Sequence, residues 1–160
     1  MKAREYKQKI MENINNNIIE KLNHLIAIGQ YSQRCYTTGA ENVKNEVMKN
    51  FFLRCAHERA LDITELRSII KSLGGNLREK QDVMEDLNNN EVATEPTFTL
   101  VDEYSVINKC IVGNDAVINA YNEALVGNKI FGNIRDILLY QLNGVKDAIN
   151  GIKVYLRKVS

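Results

Sequence analysis

Glu58 and Asp62 stand four residues apart with His57 beside the first, and this is where the 160-residue chain could do metal or acid–base chemistry. Carboxylate and imidazole are the donors that iron and manganese accept. Three further polar residues, Gln33, Asn114 and Gln141, fall mid-way along three other apolar stretches. These are amides, which are neutral and poor ligands beside a carboxylate. The five residues Gln33, Glu58, Asp62, Asn114 and Gln141 therefore read as a central polar cluster with one carboxylate pair. Holding two metal ions needs several negative charges, so no metal set is expected. Glu58, Asp62 and His57 stay as the weak candidates.

A buried amide lacking partners costs about 1–3 kcal/mol per unmet group. Gln33, Asn114 and Gln141 are thus expected to bond one another and fix helix register, as a lone polar core residue does in a coiled coil. The other reading of the same residues is a small polar cavity for water or a ligand. Glu58 and Asp62 are expected at the seam edge, paired with Arg54, Arg59 or a lysine. His57 should be half exposed and His24 solvent-facing.

Helices must position these side chains. One Pro in the whole chain, at 96, and steps of three and four between apolar residues predict a mostly α protein. Residues 1–17 read as an N-terminal extension that a short helix would fit, and Asn15-Asn16-Asn17 as a helix start, because Asn favours the N-cap. Residues 18–160 then form the bundle. Helix one is expected from Ile18 to Gly39, with Ile19, Leu22, Ile26, Gly29, Gln33, Tyr36 and Ala40 as its seam. After a short connection at Gly39–Asn42, helix two spans Val43 to Leu73 and stops at Gly74-Gly75. Helix three covers Leu100 to Leu125 and helix four Ile130 to Lys158. The stretch from 76 to 99 is too long for a hairpin turn and predicts a crossover between two αα-hairpins.

Bulk properties exclude several classes. Net charge is +1 from 21 basic and 20 acidic residues, without the basic stripe of a nucleic-acid binder or the polybasic face of a membrane-surface binder. No apolar run reaches the ~20 residues of a spanning helix. The charged N-terminus lacks the apolar stretch of a secretory signal. Cys35, Cys55 and Cys110 fall inside three helical patterns and read as reduced, buried thiols in a cytoplasmic protein. No serine pairs with a histidine, and Gly74-Gly75 lacks the Lys-Ser/Thr of a phosphate loop.

Several segments resemble a known family. Leu22-Asn23-His24-Leu25-Ile26, Phe52-Leu53-Arg54-Cys55-Ala56-His57-Glu58-Arg59, Glu65-Leu66, Leu73-Gly74-Gly75 and Asn119-Ala120-Tyr121-Asn122-Glu123-Ala124-Leu125 are similar to the bacterial ferritin-like bundles grouped as domain of unknown function 2383, over residues 18–157. The resemblance implies an all-α, ferritin-like, up-down four-helix bundle and supplies no activity. Ferritin-like di-metal proteins take a Glu from each of two helices and a Glu-x-x-His from each of the other two. No Glu-x-x-His occurs in this chain.

The function expected from these residues is non-enzymatic: a structural or protein-interaction bundle with a degenerate metal site and no cofactor. Tyr31, Tyr140 and Phe131 are the candidates for a partner surface, and a homodimer is the expected assembly. The rival readings are a metal-binding or oxidase-type enzyme built on Glu58 and Asp62, and a small-ligand carrier using the amide-lined interior.

Overall fold

The computed structural model describes residues 2–77, 103–127 and 129–159. Almost all of them lie in four helices: α1 (Lys2–Asn42), α2 (Glu46–Ser72), α3 (Glu103–Leu125) and α4 (Gly132–Val159). The architecture is the expected all-α bundle of two αα-hairpins. α1 packs along both α2 and α3, and α3 along α4, whereas α2 and α4 approach each other only sparingly. Most of the expected crossover lies outside the described residues. Its two ends are fixed, since α2 and α3 start at the same end of the bundle. There Oε1 of Glu103, in the first turn of α3, accepts from the backbone N–H of Lys44 (3.0 Å) and Asn45 (2.8 Å).

The helix boundaries follow from capping chemistry. Asn45 is extended, and its Oδ1 accepts from the N–H of Met48 at 3.0 Å, so it is the N-cap of α2. α2 ends on Gly74, whose φ of +77° suits a residue without Cβ. The N–H of Gly74 bonds the carbonyl of Lys71, and the N–H of Gly75 that of Ile70, which Leu73 N–H also reaches, so carbonyls of the last turn find partners. The turn between α3 and α4 uses Gly127 and Gly132 at positive φ. It is tied by Nη1 of Arg135, which donates to the Leu125 carbonyl at 3.0 Å.

Two expectations about α1 are overturned. The asparagine run starts no helix: α1 is continuous from Lys2 through Asn15–Asn17 to Asn42. An exposed asparagine inside a helix costs only tenths of a kcal/mol. Ile14 and Ile18 on either side keep the helix packed, the first half-buried and the second buried. At its other end, Gly39 is no turn residue. A Cβ there would come within 2.8 Å of the Phe52 ring, so Gly39 serves the close approach of α1 and α2. The turn is Val43–Asn45 instead.

At 41 residues α1 rises about 60 Å, against about 40 Å for the 27 residues of α2. Gly75, just past the end of α2, touches Ile19, and residues 2–13 of α1 are exposed beyond that level. The core lies between the remaining lengths, around Leu22, Leu25, Tyr36, Phe52, Leu66, Ile107, Leu138 and Ile152. Burial of each such side chain contributes about 1.5–3 kcal/mol. Cys35, Cys55 and Cys110 are all buried and free. Among the described residues no helix is long and apolar enough to cross a membrane.

Candidate functional site

Among the described residues, Arg59 is the charged side chain buried in the core, with 3% of its surface exposed. Core positions on α2 run Phe52, Cys55, Ala56, Arg59, Ile63, Leu66, Ile70, and Arg59 sits at the centre of that stripe. Its Nη1 lies 3.3 Å from Oδ2 of Asp62, one turn further on. Its Nη2 is 3.8 Å from Oε2 of Glu58, a side chain that is 58% exposed. Gly144 on α4 makes room for the guanidinium, because a Cβ there would be 3.3 Å from Nη2. The charge acts on the buried hydroxyls of Tyr36 and Tyr121, on α1 and α3, drawing their pKa values down while burial drives them well above the usual phenol range. Nε and Nη1 of Arg59 and Oδ2 of Asp62 have no hydrogen-bond partner beyond the ion pair. Burial pushes the Asp62 carboxyl up to about 6 against the pull of Arg59, with Glu65 and Glu58 adding repulsion.

The five residues of the expected cluster do not meet in one network. Asn114 is fully buried. Its Oδ1 accepts from Oγ of Ser32, and its Nδ2 donates to the Cys110 carbonyl at 2.8 Å. Cys110 Sγ in turn donates to the Cys35 carbonyl. Gln141 belongs to a second group. Its Oε1 accepts from the Tyr121 hydroxyl at 2.8 Å, and its Nε2 donates to Oε1 of Glu65 at 2.9 Å and more weakly to the Asp62 carbonyl. Gln33 joins neither group: it is half-buried, and its neighbour Ser32 faces inward in its place. α1 packs against two helices, so its buried face is wide, and the seam drawn through Gln33 misses the centre of that face by one residue.

Other placements also differ from expectation. Glu58 faces outward, since it lies one residue off the α2 core stripe. His57 is exposed and His24 is half-buried rather than solvent-facing. Tyr31 is buried and supplies no partner surface, in contrast to Tyr140 and Phe131, which are 78% and 62% exposed. Ser32, Glu65 and Tyr121 escaped the sequence reading as members of the polar groups. Their roles rest on partners in other helices, which periodicity does not report. Arg59 carried a usable signal, its place mid-way along the 52–56–59–63–66–70 pattern.

Between α2 and α4 lies a half-open cleft of about 750 Å³. Its floor is Cys55, Arg59, Asp62, Gln141, Gly144 and Ala148, and its rim carries Arg54, Glu58, Leu61, Glu65, Tyr140, Asn143 and Asp147. The two helices close on it at both ends. At one end Phe51 rests on Gly151, where a Cβ would come within 2.8 Å of the ring; at the other Gln141 bonds Glu65.

A family model described as domain of unknown function (DUF2383) matches residues 17–127, which takes in α2, α3 and most of α1. The chain belongs to this family. No curated protein matches the sequence. Among solved structures, the bacterioferritin-related protein of Bacteroides fragilis, described as a dodecameric thioferritin, aligns with a TM-score of 0.80 at 18% identity, over 97% of this chain and 94% of that one. The DPS protein of Vibrio cholerae O1, described as one of the ferritin-like diiron-carboxylate proteins, aligns with a TM-score of 0.76 at 13% identity, over 91% and 92%. These likenesses extend through α4 and establish a ferritin-like fold.

That fold raises the question of a metal pair, and the side chains answer it. In place of a carboxylate, the middle of α2 turns inward a guanidinium, which only donates hydrogen bonds and carries a fixed positive charge. Gln141 and Asn114, the inward polar residues of α4 and α3, are amides already committed to protein partners. Among the described residues no three of His, Cys, Asp and Glu gather to hold an ion. The described residues do not fit a di-metal centre.

Proposed function

We propose that this protein is a ferritin-like bundle that works by association through its surfaces rather than by metal chemistry in its interior. The observation that carries the reading is the overhang of α1. Tyr6, Ile10, Ile14 and Ile18 recur every four residues and so share one face. That face passes from buried at Ile18 through half-buried at Ile14 to exposed at Ile10 and Tyr6. An apolar helical stripe that leaves its own core wants a partner to cover it. A second copy is the occupant we favour, supported by the dodecameric assembly described for the Bacteroides fragilis neighbour. The interior argument supports the same reading, since Arg59 opposes the capture of cations. A cytoplasmic setting belongs to the proposal too, in keeping with three buried free thiols.

Light scattering on the full chain tests it. The expected result is an assembly larger than the monomer, reduced to monomer by Tyr6→Lys with Ile10→Lys at unchanged helicity. A monomer at high protein concentration, or an assembly indifferent to both substitutions, would end the proposal.

A further inference from the structure

The overhang of α1 and the cleft between α2 and α4 match in length, charge and exposed apolar surface. Residues 2–13 rise about 18 Å, and α2 rises about 21 Å from Phe51 at one closed end of the cleft to Glu65 at the other. Tyr6 and Ile10 form the apolar stripe of the overhang. At about 100° per residue, Lys2 and Lys9 flank that stripe on one side and Lys7 on the other, whereas Glu5 and Glu12 turn away from it. The overhang thus holds four exposed basic residues, Lys2, Arg4, Lys7 and Lys9, against two acidic ones. The cleft rim has the opposite balance. Glu58, Glu65 and Asp147 are exposed there beside Arg54, while Arg59 and Asp62 on the floor neutralise each other. Leu61 on α2 and Tyr140 on α4 add exposed apolar surface to the same rim.

We propose that the overhang of α1 docks lengthwise in the α2–α4 cleft of a second copy. This head-to-tail contact rests on the association proposed above and names its receiving surface. Tyr6 and Ile10 pack on Leu61 and Tyr140, and the flanking lysines face the carboxylates of the rim, a complementarity that fixes partner and orientation. α1 is one unbroken helix, so its overhang points away from its own cleft and reaches only that of another molecule. The two surfaces differ, so each docked pair still offers one cleft and one overhang, and the contact repeats into a ring or an open chain.

Sedimentation of mixed full-length variants tests the contact. The overhang variant carries Tyr6→Lys with Ile10→Lys and keeps its cleft. The cleft variant carries Leu61→Lys with Tyr140→Lys and keeps its overhang. All four positions are exposed, and native helicity is checked for each protein. Each variant alone should sediment as a monomer. An equimolar mixture should give a one-to-one dimer and nothing larger, because one intact pair of surfaces remains. Asp147→Lys, a lone charge reversal at the exposed rim, serves as a second cleft variant and should weaken assembly of the otherwise unchanged chain about tenfold or more. The contact is overturned by a cleft variant that assembles like the parent, by a mixture that stays monomeric, or by an assembly unmoved by Asp147→Lys. An assembly that is lost in the overhang variant yet kept in the cleft variant leaves the association standing, with the second copy seated elsewhere. A parent that is monomeric at high concentration removes both.

Discussion

Nη1 of Arg59 lies 3.3 Å from Oδ2 of Asp62, one turn along the same helix, and the pair lies largely out of water. Taking one partner away strands the other, whereas replacing both with apolar residues leaves no orphan charge. Arg59→Met is therefore expected to destabilise the fold by about 3 kcal/mol at neutral pH. The double change Arg59→Met, Asp62→Leu should cost clearly less. Urea unfolding of the two variants checks this; equal losses would mean that the pair is not coupled.

Asp62 gives the protein a pH signature. Its carboxyl titrates at about 6 in the folded chain against an ordinary 3.8, chiefly because burial disfavours the charged form. Between those values the folded state holds more proton than the unfolded one, so the contribution of Asp62 to stability falls as pH rises from about 4 to about 6 and is constant above. Asp62→Asn should remove that slope. Unfolding midpoints of the two proteins measured across the window give the comparison, and parallel curves would contradict the assignment.

The buried amides separate from the half-buried one. Asn114→Leu strands Oγ of Ser32, and Gln141→Leu strands the Tyr121 hydroxyl, so each is expected to cost about 1–3 kcal/mol. Gln33→Leu should lie within about 0.5 kcal/mol of the parent. Adding Ser32→Ala to Asn114→Leu should recover part of the loss. Chemical denaturation of the four variants would expose the scheme as wrong if Gln33→Leu proved the most damaging.

Gly39→Ala sets helix propensity against packing. Alanine is favoured over glycine in a helix by about 1 kcal/mol. Its Cβ would meet the fully buried Phe52 ring at 2.8 Å and Cys110 Sγ at 3.1 Å. Overpacking of this kind costs about 1–3 kcal/mol, so a net loss of melting temperature is expected. A rise would show that α1 and α2 can separate freely.

The three thiols should be inert in the native state. Burial raises Cys35 to about 11 and Cys55 to about 12, and pushes Cys110 higher still, so almost no thiolate exists at neutral pH. Ellman's reagent is expected to react with none of them until denaturant is added, then with three. Rapid labelling of the folded protein would contradict their burial.

The sequence by itself determined the elements and their order. Burying one face of a helix demands apolar residues at steps of three and four, and that demand is written locally, so four helices and the Gly74 stop were legible from the chain alone. The buried state of Cys35, Cys55 and Cys110 was legible for the same reason. What tertiary structure decided was the identity of the polar partners. Gln141 meets Glu65 and Tyr121, and Asn114 meets Ser32, across helices whose rotation about their axes no period fixes to better than one residue. That single residue, 100° of rotation, turned Ser32 inward instead of Gln33 and Arg59 inward instead of Glu58. Because neighbouring positions differ so much in chemistry, the rotation made the difference between a carboxylate at the centre of the bundle and a guanidinium. It also left the cleft between α2 and α4, which depends on the spacing of two helices and has no counterpart in either helix alone.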